Sequence, residues 1–158
     1  AALTKDDKRI RWHLLGDGSE LENLKKLAES LHTDNVIFHG RKPLDEMPKY
    51  YSMADAMVVT MMKNPVISLT LPGKVQSYMA AGKPILGAID GETQLIVKEA
   101  DCGLCGEAEN AELLAENARI MSNQSMEKYA RNSFEYNEKY FNKEKFMQTI
   151  IKELEALV

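Results

Sequence analysis

The sequence predicts an α/β fold, a parallel sheet flanked by helices, on two observations. Short apolar runs alternate with longer segments whose apolar residues recur every three or four positions, the pattern of βα repeats around a parallel sheet. Glycine or proline punctuates the joins, at Gly16, Gly18, Gly40, Pro72, Gly82 and Pro84. A chain of 158 residues suits one domain with a full core.

Residues 10–15 (IRWHLL) read as the first strand, and Gly16-Asp17-Gly18 turns the chain. Ser19 and Glu22 have capping-box spacing, and the helix that follows is expected to bury Leu21, Leu24, Leu27, Ala28 and Leu31. Residues 36–39 form a second strand that Gly40 ends, and Pro43 fits the first turn of a short helix through Met47 and Tyr51. Residues 55–60 (DAMVVT) are a third strand, followed by an irregular stretch over 61–71. Pro72 opens a helix through Val75, Tyr78, Met79 and Ala80, which Gly82 stops. A fourth strand covers 84–89, a helix 92–100, and a short strand lies near Gly103, Leu104 and Cys105. Three amphipathic helices follow, over 112–121, 126–140 and 143–157, with Asn123 and Asn142 as breaks or caps. The last carries Phe146, Met147, Ile150, Ile151, Leu154 and Leu157 on one face, a stripe expected to be core. Without a repeat or a Pro/Gly/Ser linker, residues 1–158 read as a single Rossmann-like domain.

Composition excludes several classes. With 44% hydrophobic and 28% charged residues the chain is globular rather than disordered. Its net charge of −4 speaks against a nucleic-acid partner. No apolar run approaches the ~20 residues that span a bilayer. The N-terminus opens Ala1-Ala2-Leu3-Thr4 and turns charged over residues 5–9, so a signal peptide is not expected, and the absence of a first Met suggests a piece of a longer polypeptide. Two cysteines exclude a disulfide framework and favour a cytoplasmic setting. Cys102 and Cys105 stand on a strand, not at the helix start that would stabilise a thiolate, so they read as packing. His13, His32 and His39 are scattered, and no metal site is predicted; His39, at a strand end, is the one nearest the expected cleft.

Two segments carry binding chemistry. Gly16-Asp17-Gly18 joins a strand to a helix, where free N–H groups meet phosphate or ribose; the plainer reading is a turn that needs glycine for its dihedrals. A dinucleotide fingerprint would need a glycine where Leu21 stands, and an acid where His39 ends the second strand, so NAD is not expected. In the second segment, Gly73 and Lys74 occupy the first turn of a helix, where amides lack intrahelical partners and the dipole is positive. Such an end suits a diphosphate. A solvated lysine is the alternative, but a lysine there opposes the dipole, which itself speaks for an anionic partner. The segment is not a P-loop, because Ser68 and Val75 replace its first glycine and its Ser/Thr.

Taken in order, residues 15–18 (LGDG), 35–40 (NVIFHG), 51–55 (YSMAD), 78–85 (YMAAGKPI), Gly91 and the run 92–96 resemble one family over nearly the whole chain. It is the C-terminal domain of retaining GT-B glycosyltransferases (glycosyl transferases group 1, or family 4), especially those that build bacterial cell-surface polysaccharides. The resemblance implies half of a GT-B fold that holds a nucleotide-sugar, usually a UDP-sugar, in a cleft facing an acceptor domain. By position it places the base near Gly40 and Arg41, the cleft floor at Gly16 and Gly18, and the diphosphate and sugar along Thr70, Leu71, Gly73 and Lys74. The glutamate that grips the ribose in that family is replaced by Ser77, with Gln76 beside it, and its partner acid eight positions earlier by Leu69. The pattern at 71–78 looks like that of transferases of N-acetylated amino sugars.

The resemblance also implies what this stretch lacks. Domains of this type begin with a strand and a glycine-plus-basic loop, and nothing before Ile10 can be that strand. Its place is the middle of the sheet, so the expectation is either direct pairing of the strand at 10–15 with that at 55–60, or a gap filled by another chain. The N-terminal acceptor domain is expected to lie elsewhere, and no catalytic residue, cofactor or metal is assigned here. In the family the last helix reaches toward the other domain, so part of it is expected to be bare and to favour a homodimer, with the full-length enzyme at the inner face of a membrane. The alternatives are half of a sugar-nucleotide epimerase and a non-catalytic α/β interaction module.

Overall fold

The structure, a computed structural model, describes residues 1–156. β1 (Trp12–Leu15), α1 (Leu21–Ser30), β2 (Val36–Gly40), α2 (Met47–Met53) and β3 (Met57–Thr60) come first. They are followed by α3 (Gly73–Ala80), β4 (Ile85–Ala88), α4 (Glu92–Glu99), β5 (Gly103–Gly106), α5 (Ala111–Ser122), α6 (Glu127–Tyr140) and α7 (Lys143–Glu155). Short three-ten turns cover Ala2–Thr4, Leu44–Glu46 and Ile67–Leu69.

The strands are parallel and fall into two groups, β1 with β2 and β3 with β4 and β5. Strands of four or five residues joined by helices produce this arrangement, because a parallel pair needs a crossover. β4 is the central strand of its group and all its residues are buried. Gly87 within it is fixed by packing, since a Cβ there would stand 2.5 Å from Cys105 Sγ.

Direct pairing of β1 with β3 is not formed. β1 keeps a free edge beyond β2, and β3 keeps one beyond β4. The amino-terminal end of this opening is bridged by side chains: Ile10 and Trp12 pack with Ala56, Leu86, Ala118 and Met121 on the α5 face. Trp12 Nε1–H also donates to Thr4 Oγ1 at 2.9 Å.

On the other face α3, α4 and α6 cover the three-stranded group. Val59, Val75, Met79, Ile85, Ile89, Val97 and Cys102 form its core, each with no measurable exposure. Burying one such Val, Ile or Met side chain contributes about 1.5–3 kcal/mol. α6 is held against α3 by Asn137 Nδ2–H donating to Gln76 O (3.1 Å), and to the following loop by Ser133 Oγ–H donating to Lys83 O (2.8 Å).

Three expectations are corrected. The capping box is absent: α1 starts at Leu21 after Glu20, and no side chain caps it. The α1 stripe is not core, because a two-stranded group offers too little surface to cover it, and Leu24, Leu27 and Leu31 stay exposed. α7 has no buried residue, so its apolar face is bare rather than core; Leu157 lies outside the described residues. Asn142 caps α7 as expected, accepting from Lys145 N–H at 3.1 Å. Asn110 does the same for α5, accepting from Leu113 N–H at 2.9 Å.

Candidate nucleotide-sugar site

The first group of expected site residues comes together where β1 and β2 end. Gly16 N–H donates to Gly40 O at 2.9 Å, continuing the parallel ladder from the residue after β1 onto the last residue of β2. Gly16 has φ +140° and Gly40 φ +65°, values that L side chains rarely adopt, so glycine is required at both by the backbone. Just outward, Arg41 Nη1 lies 3.9 Å from Asp17 Oδ2, and both side chains are mostly exposed. Such a pair is worth at most about 1 kcal/mol, so the guanidinium is readily given up to a better anion.

The second group lies at the start of α3. Pro72 precedes it with extended backbone and no side chain caps it. Val75 N–H returns to Pro72 O at 2.9 Å, while the amides of Gly73 and Lys74 are first-turn donors without an intrahelical partner. Lys74 is exposed and, among the described residues, forms no ion pair.

Contacts link α2, which follows the first group, to α3, which carries the second. Tyr51 of α2 packs edge-on against Tyr78 of α3 with ring centroids 5.5 Å apart. Lys83 Nζ, just past the end of α3, donates to Ser52 O (3.2 Å) and Ala54 O (2.8 Å) at the end of α2. Gly16 and Arg41 directly follow β1 and β2, and α3 is the helix that follows β3. Each group thus comes after the carboxyl end of a strand, where open α/β sheets bind ligands.

Gly18 and Gly73 show a further property. Neither has a left-handed φ, and a Cβ at either would meet no atom within 4 Å. Neither the backbone nor the packing of this chain asks for glycine there. Gly91 differs: its φ is +72° and a Cβ would collide with the Ser68 carbonyl.

The remaining expected residues are placed differently. Thr70 is tied to the fold, its hydroxyl donating to Ile67 O (2.7 Å) and its carbonyl accepting from Thr93 Oγ1–H (2.9 Å). Leu71 packs its side chain against the core. Gln76 is exposed and its carbonyl serves Asn137. Ser77 Oγ–H donates back to Gly73 O at 3.3 Å, leaving the oxygen able to accept. Sequence reasoning passed over Thr93, although a threonine in the first turn of α4 is a signal for such a tie, and over Glu109, for which there is no signal.

Cys102, His13 and His39 have partners within the fold. The thiols of Cys102 and Cys105 are free, and burial pushes each up to about 12, so neither is a ready thiolate. His13 and His39 stack with ring nitrogens 2.8 Å apart and Tyr50 against their edge, and no group of three or more metal ligands exists among the described residues. No helix among the described residues is long and apolar enough to cross a membrane.

The family described as "Glycosyl transferases group 1" matches residues 1–139. The chain is 32% identical over 88 residues to the putative teichuronic acid biosynthesis glycosyltransferase TuaH of Bacillus subtilis, covering 55% of this chain and 21% of that protein. It is 30% identical over 103 residues to the probable glycosyltransferase WbjE of Pseudomonas aeruginosa, covering 64% and 25%. It thus spans about a quarter of the length of these relatives. The fold matches that of TarM of S. aureus, solved with UDP (TM-score 0.79, 15% identity, 96% of this chain and 30% of that one). It also matches Anabaena HepE in complex with UDP (TM-score 0.73, 20% identity, 98% and 43%).

Proposed function

The chain belongs to the glycosyl transferases group 1 family, and from that premise we propose that it is the donor-binding part of a glycosyltransferase in polysaccharide biosynthesis. The donor is a nucleotide-sugar carrying UDP, and the acceptor is a glycan or a lipid-linked glycan. The name of TuaH and the UDP bound to TarM and HepE support this reading. The observation that carries it is the uncapped start of α3, where Gly73 has open space where a side chain would be and Lys74 stands next to it. Positive dipole, free amides, a lysine and open space above Gly18 and Gly73 are the chemistry a pyrophosphate needs.

In this reading the uracil lies by Gly40 and Arg41, the ribose by Gln76 and Ser77, and the sugar along the backbone of Thr70 and Leu71. The acceptor-binding part, which supplies the remaining catalytic groups, lies outside these residues. The strand order supports this: β2-β1, an opening, then β3-β4-β5 is a common doubly wound order with one central strand absent. Two free thiols, Cys102 buried and Cys105 half-buried, fit a cytoplasmic setting.

Calorimetric titration with UDP, run beside NAD, tests the proposal. The expected result is binding of UDP alone, weakened about tenfold in Lys74→Ala at unchanged melting temperature. Absence of UDP binding, or equal affinity in Lys74→Ala, rejects the assignment and favours the interaction module.

A further inference from the structure

We propose that Glu109 is a positioning residue that holds the β3–α3 loop in its donor-binding shape while itself kept in a strained backbone conformation. The inference rests on the donor-site reading above and adds to it a residue outside that site.

Among the described residues, three that are not glycine have positive φ: His32 (52°), Asp101 (46°) and Glu109 (64°). The first two stand just past the ends of α1 and α4, where a left-handed residue is usual, and His and Asp are types that tolerate it. Glu109 has neither excuse. It follows no helix and instead precedes Asn110, the cap of α5, and glutamate is not a type enriched in this region. It is also exposed, so burial does not force it there.

What the conformation achieves is a contact. Glu109 Oε1 accepts from the backbone N–H of Lys63 at 3.1 Å, across 46 residues of chain. The turn that carries Glu109 is anchored in its own right, since Ala108 N–H donates to Asp90 Oδ1 at 3.1 Å just past the end of β4. Glu107 adds a carboxylate oxygen 4.0 Å from Lys63 Nζ. A continuous path of bonds therefore runs from the end of β4, through 107–109, to the start of the β3–α3 loop.

That loop delivers the chain to Gly73 and Lys74. Its far end is held by Thr93 on Thr70, its middle by Asn64 Oδ1, which accepts from Val66 N–H (2.8 Å) and Ile67 N–H (3.2 Å). Its near end is held by Glu109. Lys63, Asn64, Pro65, Ser68 and Asp90 line an open depression between the loop and β4. Releasing Lys63 would let one wall of that depression move, and the start of α3 with it. Backbone strain that persists next to a ligand-facing loop is retained where it fixes a geometry that matters.

The test separates positioning from stability, because replacement with glycine changes the two in opposite directions. Glu109→Gly relieves the left-handed backbone and removes the acceptor; Glu109→Gln keeps an acceptor oxygen. The expected result is that Glu109→Gly melts at or above the wild-type temperature yet binds UDP about three- to tenfold more weakly. Glu109→Gln binds as wild type. Hydrogen exchange without ligand gives the second reading: the Lys63 amide loses protection in Glu109→Gly and keeps it in Glu109→Gln. Wild-type affinity and Lys63 protection in Glu109→Gly would overturn the proposal, as would loss of affinity in Glu109→Gln equal to that in glycine. Should the wild type itself not bind UDP, the donor-site reading fails, and the exchange of Lys63 alone decides whether Glu109 holds the loop.

Discussion

Glycines with different jobs look alike in a sequence, and here the structure tells them apart. Gly16, Gly40 and Gly91 have backbones that glycine alone adopts easily, whereas Gly73 has an ordinary φ and empty space where its side chain would be. Alanine at 73 therefore fits the fold and, as the better helix former, stabilises it by up to about 0.5 kcal/mol. It also fills the space over the first turn of α3. The expected outcome for Gly73→Ala is an unchanged or higher melting temperature with UDP affinity reduced about fivefold by calorimetry. A variant that binds UDP as the wild type does would show that the glycine is incidental. Gly73 and Lys74 were legible in the sequence because a glycine and a basic residue follow a proline that opens a helix. Glu109 was not, since the backbone conformation that marks it is imposed by contacts 46 residues apart.

At the scale of elements, periodicity placed every strand and long helix to within a few residues, but it did not say which faces would be covered. Leu24, Leu27 and Leu31 along α1 and the apolar face of α7 have the spacing of core stripes, yet both are exposed, because no described element covers them. Periodicity shows only that a face is apolar; what covers it is a matter of tertiary structure. The capping box failed for a local reason: α1 begins two residues after Ser19, beyond reach of its hydroxyl. Since α7 buries no residue, it contributes little to the core, while Phe141 just before it packs against Tyr136. A chain ending at Asn142 is expected to unfold within about 1 kcal/mol of the full-length chain in urea, and to self-associate less by sedimentation, having lost an exposed apolar face. A loss of several kcal/mol would mean that α7 packs on the domain.

At the scale of the molecule, the expected binding segments follow the ends of parallel strands, and the β3–α3 loop that leads to one of them is tied at both ends, by Glu109 and Thr93. β1 and β3 do not pair, and the amino-terminal end of the opening between them is bridged by packing of Ile10 and Trp12 that no motif records. The most direct measurement of the account is a map of UDP-induced amide shifts on isotopically labelled protein. The account predicts that the largest shifts fall on Gly16, Gly18, Gly40, Arg41, Gly73 and Lys74, two segments far apart in sequence responding together. Shifts confined to one of those segments, or gathered on the exposed faces of α1 or α7, would contradict it.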